Sequence, residues 1–130
     1  MQHSINDAQL GWYTESMKAL PPTKALMFYH IPLKEYEHAL AAGSPISGEH
    51  REAVSADKPN PATFDTLRGA RGGGDHWLAG FCGHDHTNDF CTHWRGVELC
   101  YEGSPGFTAY GGALPTPLPT PLPTPRLSRI

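Results

Sequence analysis

The sequence predicts a mixed α/β domain over residues 1–113, α+β in its ordering, followed by a disordered proline-rich tail over 114–130. Three observations lead there. An amphipathic helical pattern opens the chain, and short apolar, aromatic-rich runs follow it at intervals, the last two as a hairpin pattern. The end, 114–125, is three copies of "LPTP". Proline removes backbone donors and the tract has too little apolar bulk to pack, so only polyproline-like or disordered chain fits it. The tail is read as inert, with no protein partner expected for it.

The elements follow in order. Residues 7–20 read as a helix with Asp7 as N-cap. Leu10, Tyr13, Met17 and Leu20 recur at spacings of three and four, which makes one apolar face, and Pro21-Pro22 ends it. "KALMFYHIPL" comes next. Its centre, Ala25 to Ile31, is a continuous apolar run that suits a buried strand, stopped by Pro32. Glu35 to Ala42 reads as a second helix closed by Gly43. Residues 43–75 are polar and interrupted by Pro and Gly, hence mostly loop, with a short helix at Ala62–Leu67. His76 to Cys82 is the next strand. Asp89–Trp94 and Val97–Tyr101 read as hairpin arms about an Arg95-Gly96 turn. Phe107–Tyr110 adds a last strand. Cys91 and Cys100 flank the hairpin and are placed to face each other. Spacing alone leaves a disulfide and two buried thiols both open.

Composition excludes several classes. A chain of 130 residues with a net charge of −3 and no Lys/Arg block carries no nucleic-acid footprint. There is no run of 18 apolar residues, so no membrane-spanning helix is expected. The start, "MQHSINDAQLGWY", lacks a basic region followed by an apolar stretch, so no secretory leader is expected. Three cysteines are too few, and odd in number, for a disulfide framework, and the compartment stays open.

The chemistry concentrates in "FCGHDHTNDF", 81–90. A strand delivers the chain to Gly83, read as the pivot of a tight turn, and His84 and His86 then project from one loop. Imidazole suits Zn, Fe, Mn and Ni. Asp85 between them is read as a group that holds a ring in one tautomer. His30 in "FYHIP" lies at the end of an apolar strand, where open α/β sheets place their sites. His3, His38, His50 and His76 get structural or solvated roles. A different reading is a small zinc module built from His84, His86, Cys91 and His93, since tetrahedral zinc accepts N/S donors.

Three stretches taken together resemble a known family. "AQLGWYTESMKAL", "FYHIPLKEY" and "AGFCGHDHTNDF" are similar, in that order, to a helix, a metal-histidine strand and a Gly-His-x-His loop of the calcineurin-like metallophosphoesterases, which include the purple acid phosphatases. "VELCYEGSPGFTAYGG" is similar to the segment that follows. The resemblance covers roughly 5–112 and implies part of an α/β/β/α sandwich, the C-terminal half of the domain. It implies two divalent ions of the Fe, Zn or Mn type, roughly 3.5–4 Å apart, that activate water and clamp phosphoryl oxygens. By this resemblance His30 and His84 bind one ion, His86 binds the other, and the substrate is a phosphate ester.

The departures are as specific. The family's Asp-x-His pair, its Gly-Asp motif with the bridging aspartate, and its Gly-Asn-His motif are missing. Gly74-Asp75 comes in the wrong order. Three neutral imidazoles without a bridging carboxylate leave the ions' charge uncompensated. The expectation is therefore a truncated fragment of a phosphate-ester hydrolase, inactive by itself, with no catalytic residue identified.

Overall fold

The computed structural model describes residues 5–56, 62–72, 76–104 and 110–111. It is a mixed α/β layer. In chain order the elements are α1 (Asp7–Ala19), β1 (Ala25–Phe28), α2 (Lys34–Ala41), β2 (Ile46–Ser47), α3 (Thr63–Gly69), β3 (Trp77–Cys82), β4 (Cys91–Trp94) and β5 (Val97–Tyr101). The five strands form one sheet in the order β1-β3-β5-β4-β2. β1, β3 and β5 run parallel, while β4 pairs antiparallel with both β5 and β2.

α1 starts one residue earlier in its cap than expected. Asn6, not Asp7, is the N-cap, and with Gln9 it closes a reciprocal capping box with both bonds at 2.9 Å. Leu10 and Met17 of its apolar face are buried, whereas Leu20 beyond its end is exposed. Gly43 ends α2 region at φ 72°, as the sequence indicates. Arg95 (φ 48°) and Gly96 (φ 84°) make the two-residue hairpin turn, with φ positive at both centres as a right-twisted hairpin requires.

β1 departs from expectation. It is shorter than 25–31 and is an edge strand among the described residues, with Leu26 56% and Phe28 70% exposed. An all-apolar run suggested burial on both faces; here only Met27 and its neighbours on one face meet the core. The two-residue strand β2 was not legible in the polar 43–75 stretch. Phe107–Ala109 and the tail 114–130 lie outside the described residues, and Tyr110 is not in a strand.

The core gathers Leu10, Leu33, Tyr36, Phe64, Leu67, Trp77, Phe90, Val97 and Leu99. A register shift between Ala25 and Leu26 against β3 turns Trp77 and Gly80 to the same side. Gly80 must lack a side chain there, since the Tyr29 hydroxyl fills the position of a Cβ and Trp77 Cζ2 would lie 3.1 Å from it. The Tyr36 hydroxyl donates toward the carbonyls of Gly80 (3.2 Å) and Cys100 (3.0 Å), tying α2 to the middle of the sheet. No helix among the described residues is long and apolar enough to cross a membrane.

Candidate metal centre

The parallel pairing of β1 with β3 decides what meets at the carboxyl ends of the strands. Phe28 is in register with Phe81, and the pairing carries on past both strands. Tyr29 N–H donates to Phe81 O at 3.0 Å, and Gly83 N–H donates to His30 O at 3.3 Å. His30 and His84 therefore emerge side by side although 54 residues separate them. His84 Nδ1 lies 3.3 Å from His30 Nε2, with the rings edge to face. Gly83 is not the pivot that the sequence suggests. Its φ is not in the left-handed region, and a Cβ there would meet nothing within 4 Å.

His86 stands apart from that pair. Its ring stacks on Tyr110 at 4.2 Å, and its Nδ1 lies 2.7 Å from the Tyr110 carbonyl oxygen. A carbonyl only accepts, so Nδ1 carries the proton and Nε2 keeps its lone pair, the usual arrangement of a metal-binding imidazole. The Tyr110 hydroxyl donates to His84 O at 3.3 Å, which links the two histidines through one aromatic residue.

Asp85 does something other than orient an imidazole. It is buried, and its Oδ2 accepts from the Tyr101 hydroxyl at 2.5 Å and from Ser55 N–H at 2.9 Å. Burial, then the bond to Asp85, raises the Tyr101 pKa well above the ordinary phenol value, so the proton stays on Tyr101. Asp85 thus turns inward and pins the loop, leaving His84 and His86 to face out.

Residues 49–55 complete the loop's support, a role that the sequence did not reveal. Asn88 is fully buried. Its Oδ1 accepts from Arg51 N–H (2.9 Å) and Glu52 N–H (3.0 Å), and its Nδ2 donates to Glu52 O at 3.0 Å. Glu52 Oε1 accepts from Thr87 N–H at 2.7 Å, and Arg51 pairs with Asp89 at 2.9 Å. Gly48 permits this approach. It sits at φ 95°, and a Cβ would collide with Asp89 O and lie 2.9 Å from Phe90 Cα. The available signal was "TND" after the histidines, since Asn and Asp hydrogen-bond backbone in turns.

The remaining histidines have ordinary surroundings, His3 lying outside the described residues. His38 and His50 lie against Trp94 and Phe90. His76 is buried beside the Tyr13 hydroxyl, 3.2 Å from its Nε2, and burial lowers its pKa. The set His84, His86, Cys91 and His93 does not gather into a site. Cys91 is bonded to Cys100 in a disulfide, and among the described residues no group of three or more donors includes His84 or His86. Cys91 lies on β4, beyond the loop, and that separation is the physical reason.

Two nitrogens bound to one tetrahedral ion at 2.0–2.1 Å would be about 3.4 Å apart. The His30–His84 spacing matches that value, so the pair fits one corner of a metal site. His86 does not converge with them, and among the described residues no carboxylate joins the three imidazoles. Among the described residues the three imidazoles are therefore an incomplete donor set.

No family model matches the chain, and no solved structure does. Curated relatives do. The chain is 41% identical over 88 residues to the Arabidopsis thaliana protein named probable inactive purple acid phosphatase 29, a match covering 68% of this chain. It is 32% identical over 115 residues to probable inactive purple acid phosphatase 28 of the same plant, covering 82% of this chain. It is 36% identical over 90 residues to phosphatase DCR2 of Saccharomyces cerevisiae, covering 61% of this chain. The matches span 21%, 27% and 14% of those relatives' own lengths. The chain belongs to the purple acid phosphatase-related calcineurin-like metallophosphoesterases.

Proposed function

We propose that His30 and His84 hold one divalent ion of the Fe, Zn or Mn type and His86 a second, as the C-terminal part of a site that hydrolyses phosphate esters. The observation that carries this reading is the 3.3 Å approach of His84 Nδ1 to His30 Nε2 on the adjoining ends of two parallel strands. Bound ions of this kind supply a water of lowered pKa and positive charge for the phosphoryl oxygens. The chain's own contribution is orientation. The Asp85 and Asn88 bonds hold the loop, and Tyr110 holds the His86 ring in one tautomer with its Nε2 lone pair free.

The described residues alone do not complete such a site. Among the described residues no carboxylate converges on the three imidazoles to bridge two such ions or offset their charge. The relatives' much greater length has room for the absent donors. The isolated 130-residue chain binds a metal ion through its histidine pair and leaves phosphate esters intact. An aryl phosphate assay with added Mn(II), Zn(II) or Fe(II) tests both halves alongside a zinc titration. The expected result is no turnover above that of the metal alone, with zinc affinity lost in His30→Ala and His84→Ala. Metal-dependent hydrolysis abolished by His84→Ala would make the chain a complete enzyme and overturn the reading of inactivity. Zinc affinity indifferent to both substitutions would overturn the assignment of the pair.

A further inference from the structure

A second group of donors lies on the β4–β5 hairpin, away from the histidine pair. Cys91 is directly opposite Cys100, and His93 is directly opposite Glu98. Because side chains alternate along a strand, residues two apart share a face. All four of these side chains thus belong to one face of the hairpin, with His93 opposite Glu98 but outside the close group that the other three form. The Cys91 and Cys100 sulfurs and a Glu98 carboxylate oxygen lie within 4.8 Å of one another. The Cys91–Cys100 pair is a close one, with a Cα–Cα distance of 4.0 Å. Phe90–Tyr101, the next pair along, makes a ladder hydrogen bond (Tyr101 N–H to Phe90 O, 2.8 Å), so Cys91–Cys100 falls at the narrow, non-hydrogen-bonded site.

We propose that this hairpin is a redox-gated binding site for a thiophilic divalent cation, zinc in the first place. Its donors are Cys91, Cys100, Glu98 and His93, and they act once the Cys91–Cys100 disulfide is reduced. Two thiolates on a tetrahedral zinc at 2.3 Å would sit about 3.8 Å apart, a separation that directly opposed cysteines reach by modest rotation of their side chains. Two sulfurs, one imidazole and one carboxylate make a four-donor set of the kind zinc takes, and the two thiolates offset its charge. In the disulfide both sulfurs are spent and the site is closed.

The gate is a two-electron step. A dithiol reductant attacks the Cys91–Cys100 bond and gives up two electrons and two protons. It leaves as its own cyclic disulfide, and Cys91 and Cys100 become thiols. Zinc then displaces both thiol protons to solvent. Cys82 takes no part. It is buried on the opposite face of the sheet, and burial pushes its thiol pKa up to about 12, so it stays protonated at neutral pH.

The test uses the full chain, oxidised or reduced with a dithiol that is then removed under inert gas. Cobalt(II) is the optical probe and zinc(II) the competitor. The reduced chain is expected to bind one cobalt with a near-ultraviolet sulfur-to-metal charge-transfer band that zinc abolishes. The oxidised chain shows no such band. Glu98→Gln and His93→Ala each weaken zinc by about tenfold or more, the scale on which metal sites respond to lost partners. His84→Ala leaves the band unchanged, which separates this site from the histidine pair and makes its fate independent of that reading. Cys91→Ser and Cys100→Ser remove the band. Should either serine variant fail to fold by circular dichroism, the Glu98 and His93 variants decide. A reduced, folded chain without the band overturns the proposal. So does a band that survives both serine substitutions, or one lost in His84→Ala and untouched by Glu98→Gln and His93→Ala.

Discussion

The two sides of the sheet position their chemistry by different means. On the β1–β3 side, the strands are parallel and their carboxyl ends bring together His30 and His84 from 54 residues apart. On the β4–β5 side, a two-residue turn brings together Cys91 and Cys100, nine residues apart. The hairpin needs only its own turn to set register. The parallel side must be tethered from outside, and the tether is the bonding of Asp85 to Tyr101 and Ser55 and of Asn88 to Arg51 and Glu52. The difference teaches that the histidine site depends on polar bonds made by Asp85 and Asn88, neighbours of the histidines that are not themselves donors to an ion, whereas the hairpin cluster depends on the turn and on thiol chemistry.

That contrast breaks most sharply at Asp85. Asp85→Ala strands the Tyr101 hydroxyl and Ser55 N–H in a buried setting, and each unsatisfied group costs on the order of 1–3 kcal/mol. A destabilisation of about 3 kcal/mol is expected by urea unfolding, with the register of the β4–β5 hairpin retained in backbone amide exchange. Gly48→Ala comes next. It places a Cβ against the backbone at Asp89 and Phe90 and imposes a positive φ on alanine. The expected loss is about 2 kcal/mol, within the range for overpacking at an unsuitable backbone conformation. A stability unchanged by this variant would remove the 49–55 tether from the account.

Smaller effects sharpen the same picture. His76 has its pKa lowered by burial, so the unfolded chain binds the proton more readily than the folded one. Stability is therefore flat at higher pH and falls as pH drops below about 6.5, the ordinary histidine value. His76→Asn should flatten that acid limb in denaturant midpoints measured against pH. Smallest of all, His84→Ala should change stability by no more than about 0.5 kcal/mol, as a partly exposed side chain outside the core does.

Much of the fold is legible in the sequence because it is written locally. The capped apolar face of α1, the Gly after α2 and the Arg95-Gly96 turn each report their own backbone. The edge position of β1 is not local. "ALMF" reads as buried on both faces, and only the strand order shows that nothing among the described residues pairs with its outer side. His84 and His86 stand out by spacing, and His30 by its place at a strand end. Their supports do not stand out. Asp85 looks like a partner for its neighbouring imidazoles, but a buried phenol 16 residues on competes for it and wins. Gly83 looks like the pivot, while the glycine that sterics requires is Gly48, in a stretch whose polarity marks it only as loop.

The central claim is that His30 and His84 form one metal corner and His86 belongs to another. The most direct measurement follows the imidazole nitrogens of the ¹⁵N-labelled chain during a zinc(II) titration, with the disulfide intact. His30 Nε2 and His84 Nδ1 are expected to shift together, as one event complete at one equivalent, with His86 Nε2 responding only later and more weakly. A first equivalent that shifts His86 with His84 and leaves His30 unmoved would contradict the account.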